Sequence, residues 1–268
     1  MIKRIPLPVV LVAAIVMLDG LTVQNATAQN ETPSKQVSTP SDNPLTPAIR
    51  LAEQTRDALG KIEDYQAVFR KKERVGRQVF AHTMLLKHRA EPFSVYLRFY
   101  GANEGREVIY VKGQNEGNLV VHETGLAGLI GPISLAPTSS QAMSESLHPI
   151  TSIGLWGLID GIILQWKEEA KHGLTKVKYY PKAKLGKREF KVIETTLRQP
   201  RGKLTYHMTR LYLDKETDLP FKVEHFGFPA TPGADPPLVA EYQYDSIKSG
   251  VALRDVDFDP RNPKYKYY

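Results

Sequence analysis

The sequence predicts a mainly antiparallel β domain with some helix, in which a large curved sheet closes over one apolar helix. Three observations point there. From Tyr65 onward, apolar residues recur at every second position in runs separated by glycine, proline and acidic turns, the period of a half-buried strand. Between Gly125 and Gly173 that alternation stops, and residues 150–166 are apolar apart from Thr151, Ser152, Asp160 and Gln165, which predicts a buried helix. Several strands are apolar on both faces: Phe80, Met84 and Leu86 against Val79, Ala81 and Leu85, and Tyr206 and Met208 against Leu211 and Leu213. A solvated antiparallel sheet alternates cleanly, so each face must meet something, one the core and the other a cavity lined by aliphatic and aromatic side chains.

The chain opens with Lys3 and Arg4, an apolar run from position 5 to 18, and Ala26-Thr27-Ala28, the three parts of a secretory signal peptide. The run is short for a membrane span and polar Gln29-Asn30-Glu31 follows. Residues 1–28 are therefore expected to be removed, leaving a mature chain that starts at Gln29 in the periplasm. Residues 29–46 have almost nothing apolar to bury and are expected to form a disordered tether. A single domain, residues 47–268, follows. Its first helix has Thr46 as the expected cap and Pro47 in the first turn; Ile49, Ala52, Leu59 and Ile62 recur near helical spacing and Gly60 loosens the end. Tyr65, Ala67 and Phe69 open the first strand, Gly76 turns it, and Val79, Ala81, Thr83 and Leu85 carry the return. A third strand spans 93–99, started by Pro92 and ended by Gly101, and short strands at 108–111 and 119–122 complete a meander. After the apolar helix, strands are expected at 176–180, 189–197, 204–213, 221–228 and 238–245, with an acidic turn closed by Pro220 fixing the most secure hairpin.

The chain has no cysteine, which excludes disulfides, thiolate metal sites, a cysteine nucleophile and a lipid-modified cysteine anchor. No catalytic motif is present. Ser134 lacks the second glycine of a hydrolase elbow, and Gly125-Leu126-Ala127-Gly128-Leu129-Ile130-Gly131 lacks the lysine of a phosphate loop, so it is expected to be a lid or turn. Glu63, Glu107, Glu194, Glu224 and Glu241 lie on or beside strands and are expected mostly as surface charges. His82 and His88 share strand parity but lie roughly 20 Å apart by strand rise, too far to chelate one ion, so no metal and no cofactor is expected. The net charge is +7, of which the signal segment supplies one unit. In an exported protein this suits a solvated surface, an acidic partner or anionic headgroups rather than nucleic acid. Arg70, Lys71, Lys72 and Arg74 are either a solubilised edge or a headgroup contact.

The order of parts resembles the outer-membrane lipoprotein carrier superfamily. The resemblance rests on the N-terminal helix, a meander opening Tyr65-Gln66-Ala67-Val68-Phe69-Arg70-Lys71, a strand ending His88-Arg89-Ala90-Glu91-Pro92-Phe93, the inserted apolar helix, and the hairpin from Leu211 to Phe221. Tyr242-Gln243-Tyr244-Asp245 and Val256-Asp257-Phe258-Asp259-Pro260 are similar to its closing strands. More narrowly, Pro92-Phe93-Ser94-Val95-Tyr96-Leu97, Gly105-Arg106-Glu107-Val108-Ile109-Tyr110 and His148-Pro149-Ile150-Thr151 resemble the exported bacterial domain-of-unknown-function family 1571. The resemblance implies an unclosed β-barrel lidded by helices whose apolar cavity holds lipid or lipoprotein acyl chains. It also implies a strand-end arginine serving the cavity, a place that Arg89 matches, although here Ala90 and Glu91 intervene before the proline. Ligand contacts are accordingly expected from Arg89, Trp156, Ile159, Ile163, Tyr96 and Tyr206, with no catalytic residue. The expected role is a periplasmic binding or carrier protein, peripheral at most to a membrane; an envelope protein-interaction or sensor module is the second reading and an uncharacterised hydrolase the third. For Arg89 a ligand contact and a structural clamp to Glu91 or another carboxylate both stay open, with its side chain expected on the concave side.

Overall fold

Alternating apolar residues build one antiparallel sheet of eleven strands, seen in a computed structural model that describes residues 43–267. The strands are β1 (Asp64–Val75), β2 (Gln78–Arg89), β3 (Ser94–Tyr100), β4 (Glu107–Val111), β5 (Leu119–His122), β6 (Ile133–Leu135), β7 (Thr175–Leu185), β8 (Arg188–Leu197), β9 (Met208–Asp214), β10 (Pro220–Phe226) and β11 (Leu238–Ser249). Their order across the sheet is β6-β5-β4-β3-β2-β1-β11-β10-β9-β8-β7. Two meanders are thus joined where the first strand pairs with the last, Phe69 opposite Tyr244 and Lys71 opposite Tyr242. β6 and β7 remain as edges, so the curved sheet is not closed into a barrel.

Helix α1 (Thr46–Leu59) buries Ala48, Ala52, Thr55 and Leu59, spaced by four, three and four residues, one face of a 3.6-residue period. It packs against α2 (Leu155–Ala170). Thr46 is not the cap: Leu45 holds that position, Asn43 Oδ1 accepts the Leu45 N–H at 3.0 Å, and Asn43 Nδ2 donates to Ala170 O at 2.6 Å. Asn43 to Thr46, assigned by composition to the tether, therefore belong to the packed fold, with Leu45 fully buried. The signal segment and residues 29–42 lie outside the described residues. The apolar helix starts later than its composition suggests. Residues 150–152 form a separate one-turn helix and Gly154 breaks the chain with φ +111°, a conformation open to glycine. β6 lay inside the stretch where alternation stops and was not expected; it is three residues long. β9 starts at Met208, four residues late, and β11 runs on to Ser249.

Both sheet faces are covered, which explains their apolar character. The concave face carries Tyr65, Ala67, Phe69, Met84, Leu86, Val95, Leu97 and Phe99 in the main core with α1 and α2. The opposite face meets the C-terminal segment, where Tyr96, Ile109 and Val111 pack on Phe258 and Tyr267. Asp64 accepts the N–H groups of Val251 and Leu253 at 2.8 and 2.7 Å, and Glu107 accepts those of Lys266 N–H and Tyr96 O–H at 2.8 and 2.9 Å. What remains open on the second face is a hollow of about 650 Å³ that Arg89, Asp255, Gln114, Asn115 and Asn118 line beside Ile109, Val111 and Phe258, a more polar lining than the aliphatic and aromatic one expected. Val256 to Pro260 also do not form a closing strand: Asp255–Phe258 is a one-turn helix.

Candidate functional site

Three buried polar side chains on neighbouring strands hold the start of α2. The first N–H groups of any helix lack intrahelical acceptors, and here the sheet supplies them. Tyr65 Oη accepts the Leu155 N–H at 2.9 Å and Tyr244 Oη the Gly154 N–H at 3.2 Å. His88 Nε2 donates to Ile153 O at 3.1 Å, and burial depresses its pKa to about 4, so the ring is neutral. A Cβ on Gly154 would lie 2.5 Å from the His88 ring, which makes glycine a steric requirement as well as a conformational one. Trp156 closes this socket, its ring 5.4 Å from Tyr65 and 4.8 Å from His88 and its Nε1 donating to Leu59 O at 3.2 Å.

Anchored there, α2 crosses the concave face and leaves two cavities beside it. The larger, about 590 Å³, lies between α2, strands β1, β10 and β11, and residues 203–206; its apolar walls include Phe69, Ile153, Leu158, Ile162, Leu164 and Val223, and its floor Tyr206, His225, Tyr242 and Glu73. Gly161 forms part of the helical wall, and a Cβ there would meet nothing within 4 Å. The smaller, about 300 Å³, lies over β2–β6 with Met84, Leu97, Val108 and Val121 beneath His82, Arg106, Glu123 and Glu145. Phe69, Lys71, His148 and Ile153 line both.

The chain from 136 to 149 crosses between them and is pinned by charge. Lys71 Nζ sits 3.0 Å from Glu73 Oε2 and donates to Ser146 Oγ at 2.5 Å and Glu145 O at 3.1 Å. Glu73, almost fully buried, also accepts Tyr242 O–H at 2.5 Å and Leu147 N–H at 3.2 Å. Arg106 joins Glu123 and Glu145 at 2.9 and 3.0 Å. His82 Nε2 lies 3.2 Å from Glu145 Oε2 without hydrogen-bond alignment, and burial, with Lys71 nearby, lowers its pKa. The Lys71–Ser146 contact is not a nucleophilic pair: the ammonium already spends its three protons on Glu73, Ser146 and Glu145, and has no lone pair to accept the serine proton. Among the described residues no group of three histidines or carboxylates could hold a metal ion.

With that geometry in view, residues 62–267 match the family described as protein of unknown function, DUF1571. The chain belongs to this family. No curated protein matches the sequence. In fold, this DUF1571 chain is similar to the lipoprotein LppX of Mycobacterium tuberculosis (13% identity, 80% of this chain and 100% of that one, TM-score 0.45). A DUF1329 family protein from Desulfovibrio piger matches at 12% identity over 81% and 98% of the two chains, TM-score 0.40. A LolA superfamily protein from Nitrosomonas europaea matches at 12% over 78% and 96%, TM-score 0.33.

Of the six expected ligand contacts in the DUF1571 chain, Tyr206 alone lines a concave-face cavity. Ile159 and Ile163 are buried in the core one helical step away from the cavity wall, which Leu158 and Ile162 form instead. Trp156 is the socket clamp just described. Arg89 and Tyr96 are on the opposite face. Arg89 pairs with Asp255 at 2.7 Å, not with Glu91, donates to Ser94 Oγ at 3.1 Å and lies over the Phe258 ring; its clamp reading is the one the geometry carries. Tyr96 stacks on Tyr265 at 4.2 Å. Of the basic run, Lys71 is the buried pin and so not a headgroup contact, while Arg70 pairs with Asp245 at a half-exposed position. The glycine-rich segment forms a two-turn 3-10 helix, Gly125–Ile130, that exposes Leu126, Leu129 and Ile130. Glu107, Glu194 and Glu224 face away from the cavities and are engaged by Lys266, Arg210 and Tyr212 respectively. Sequence reasoning missed His225, Tyr242, Glu73 and His148. The first three are polar residues at core parity on β10, β11 and β1, a signal present in the sequence and not used.

Proposed function

We propose that this protein is an exported periplasmic binding or carrier protein that holds a lipid or other acyl-bearing ligand between α2 and strands β1, β10 and β11. The observation that carries this reading is the larger cavity, whose volume lies within the roughly 300–1,000 Å³ of small-molecule sites and whose walls are apolar with a few polar groups at one end. Export is supported by the basic, apolar and small-residue parts of residues 1–28. Gly161 gives a direct test. Gly161→Phe projects a ring into the cavity from a helical position with free space, and replacing a mid-helix glycine does not cost helix stability. Binding of a neutral apolar fluorescent probe should fall at least tenfold while the melting temperature holds or rises. Lipid extracted from protein purified from its own envelope should be absent in the variant. Unchanged probe binding, with no extractable lipid in the wild type, would remove the carrier reading; a stoichiometric envelope protein in the same preparation would put the interaction module in its place.

A further inference from the structure

The floor of the larger cavity presents hydrogen-bond donors and no available positive charge. His225 lies on β10 beside Tyr206, the rings stacked at 4.3 Å. Its Nδ1 is 3.0 Å from Thr209 Oγ1, and that oxygen already accepts a proton from Gln165 Nε2 at 2.9 Å. The Gln165 amide spends its other proton on Glu169 at 2.8 Å. Thr209 has no other acceptor among the described residues, so its hydroxyl proton goes to Nδ1 and the imidazole proton sits on Nε2. Burial holds His225 near a pKa of about 3 and raises that of Tyr206, so both are neutral donors. Neither Nε2 nor the Tyr206 hydroxyl has a protein partner among the described residues, although both residues line the cavity.

The charges at the floor are spent. Lys71 and Glu73 neutralise each other, with all three ammonium protons and both carboxylate oxygens engaged. At the mouth the exposed Lys203 has no ion-pair partner among the described residues, since Asp160 pairs with Arg56 and Glu168 with Lys171. An anionic headgroup drawn down to the floor would lose water, leave the exposed Lys203 behind at the mouth and approach Glu73; buried charge without a partner is strongly disfavoured. A carbonyl or hydroxyl oxygen would instead find two donors that no protein group among the described residues takes up.

We propose that the larger cavity selects lipids with an uncharged, hydrogen-bond-accepting head, an ester or an alcohol, and that His225 and Tyr206 contact that head. This rests on the binding reading above and specifies its ligand class. The test is competition against a neutral apolar fluorescent probe at pH 8 by hexadecanol, methyl palmitate, palmitate and hexadecane. Hexadecanol and methyl palmitate should displace the probe at concentrations at least tenfold below palmitate, and below hexadecane. In Tyr206→Phe and His225→Phe the advantage over hexadecane should shrink to under threefold while the probe itself still binds. If His225→Phe fails to fold, Tyr206→Phe alone decides. Palmitate competing as well as the ester, or both variants keeping the full preference, overturns the proposal. Loss of the carrier reading shows separately, as probe binding indifferent to Gly161→Phe.

Discussion

His88 shows how much one side chain does here that its residue type does not announce. It is fully buried, stacked on Tyr65 at 5.3 Å, and bonded to the backbone just ahead of α2. Burial is the dominant cause of its depressed pKa, about 4, and the hydrogen bond to Ile153 opposes it only in part. Because the folded value lies below the unfolded value of about 6.5, the unfolded chain binds the proton first as pH falls. Its contribution is therefore complete above about pH 6.5 and is lost progressively down to about pH 4, on the order of 3 kcal/mol for this group. His225 acts with the same sign. Urea midpoints between pH 7 and 4.5 should fall in the wild type and fall less steeply in His88→Gln, which starts lower at pH 7; parallel slopes would exclude His88 as the titrating group. That His82 and His88 share a face was legible from parity. Their partners Ile153 and Glu145 were not, because these reach the rings from segments distant in sequence, whereas Lys71 is the cross-strand neighbour of His82 in the first hairpin.

At the scale of elements, α2 illustrates the limit of pattern. A helix apolar nearly all round does not disclose which stripe meets the core and which lines a cavity, so Ile159 and Ile163 were expected where Leu158 and Ile162 stand. The phase is set by the socket at its N-terminus, formed by Tyr65, Tyr244 and His88 on three different strands. The crossing segment 136–149 is fixed in the same way, by side chains it meets only in the fold. Removing one partner of a buried ion pair costs about 3–5 kcal/mol because it strands the other charge. Glu73→Leu should therefore lower the melting temperature by about 10 °C for a domain of this size. The double variant Lys71→Met/Glu73→Leu should recover at least half of that loss by calorimetry. An equally unstable double variant would mean that the pin works through packing rather than charge.

At the scale of the molecule, the first strand pairs with the last, and the C-terminal segment then returns across the outer face. Deleting residues 250–268 would uncover Tyr96, Ile109 and Val111 and strip Asp64 and Glu107 of backbone donors. Two buried carboxylates and an apolar patch would be left bare, each a loss of several kcal/mol. The truncated chain should lose its cooperative melt and its near-ultraviolet circular dichroism while binding an apolar dye indiscriminately; retention of the full-length melting temperature would show the segment to be a passive tail.

Period-two alternation and turn residues by themselves determined most strands, the secure hairpin at Pro220, the two helices and the requirement that both sheet faces be covered. These are local consequences of side-chain direction along a strand and of the few residues that tolerate a turn. Only the tertiary structure decided what covers each face, and hence that Arg89 clamps the C-terminal segment while Tyr206 lines a cavity. Two residues given the same expected role diverge because burial and charge depend on which distant segments arrive beside them. The pairing of β1 with β11 brings Glu73 and Tyr242 into contact across 169 positions of sequence, and α2 then makes that contact the floor of a site.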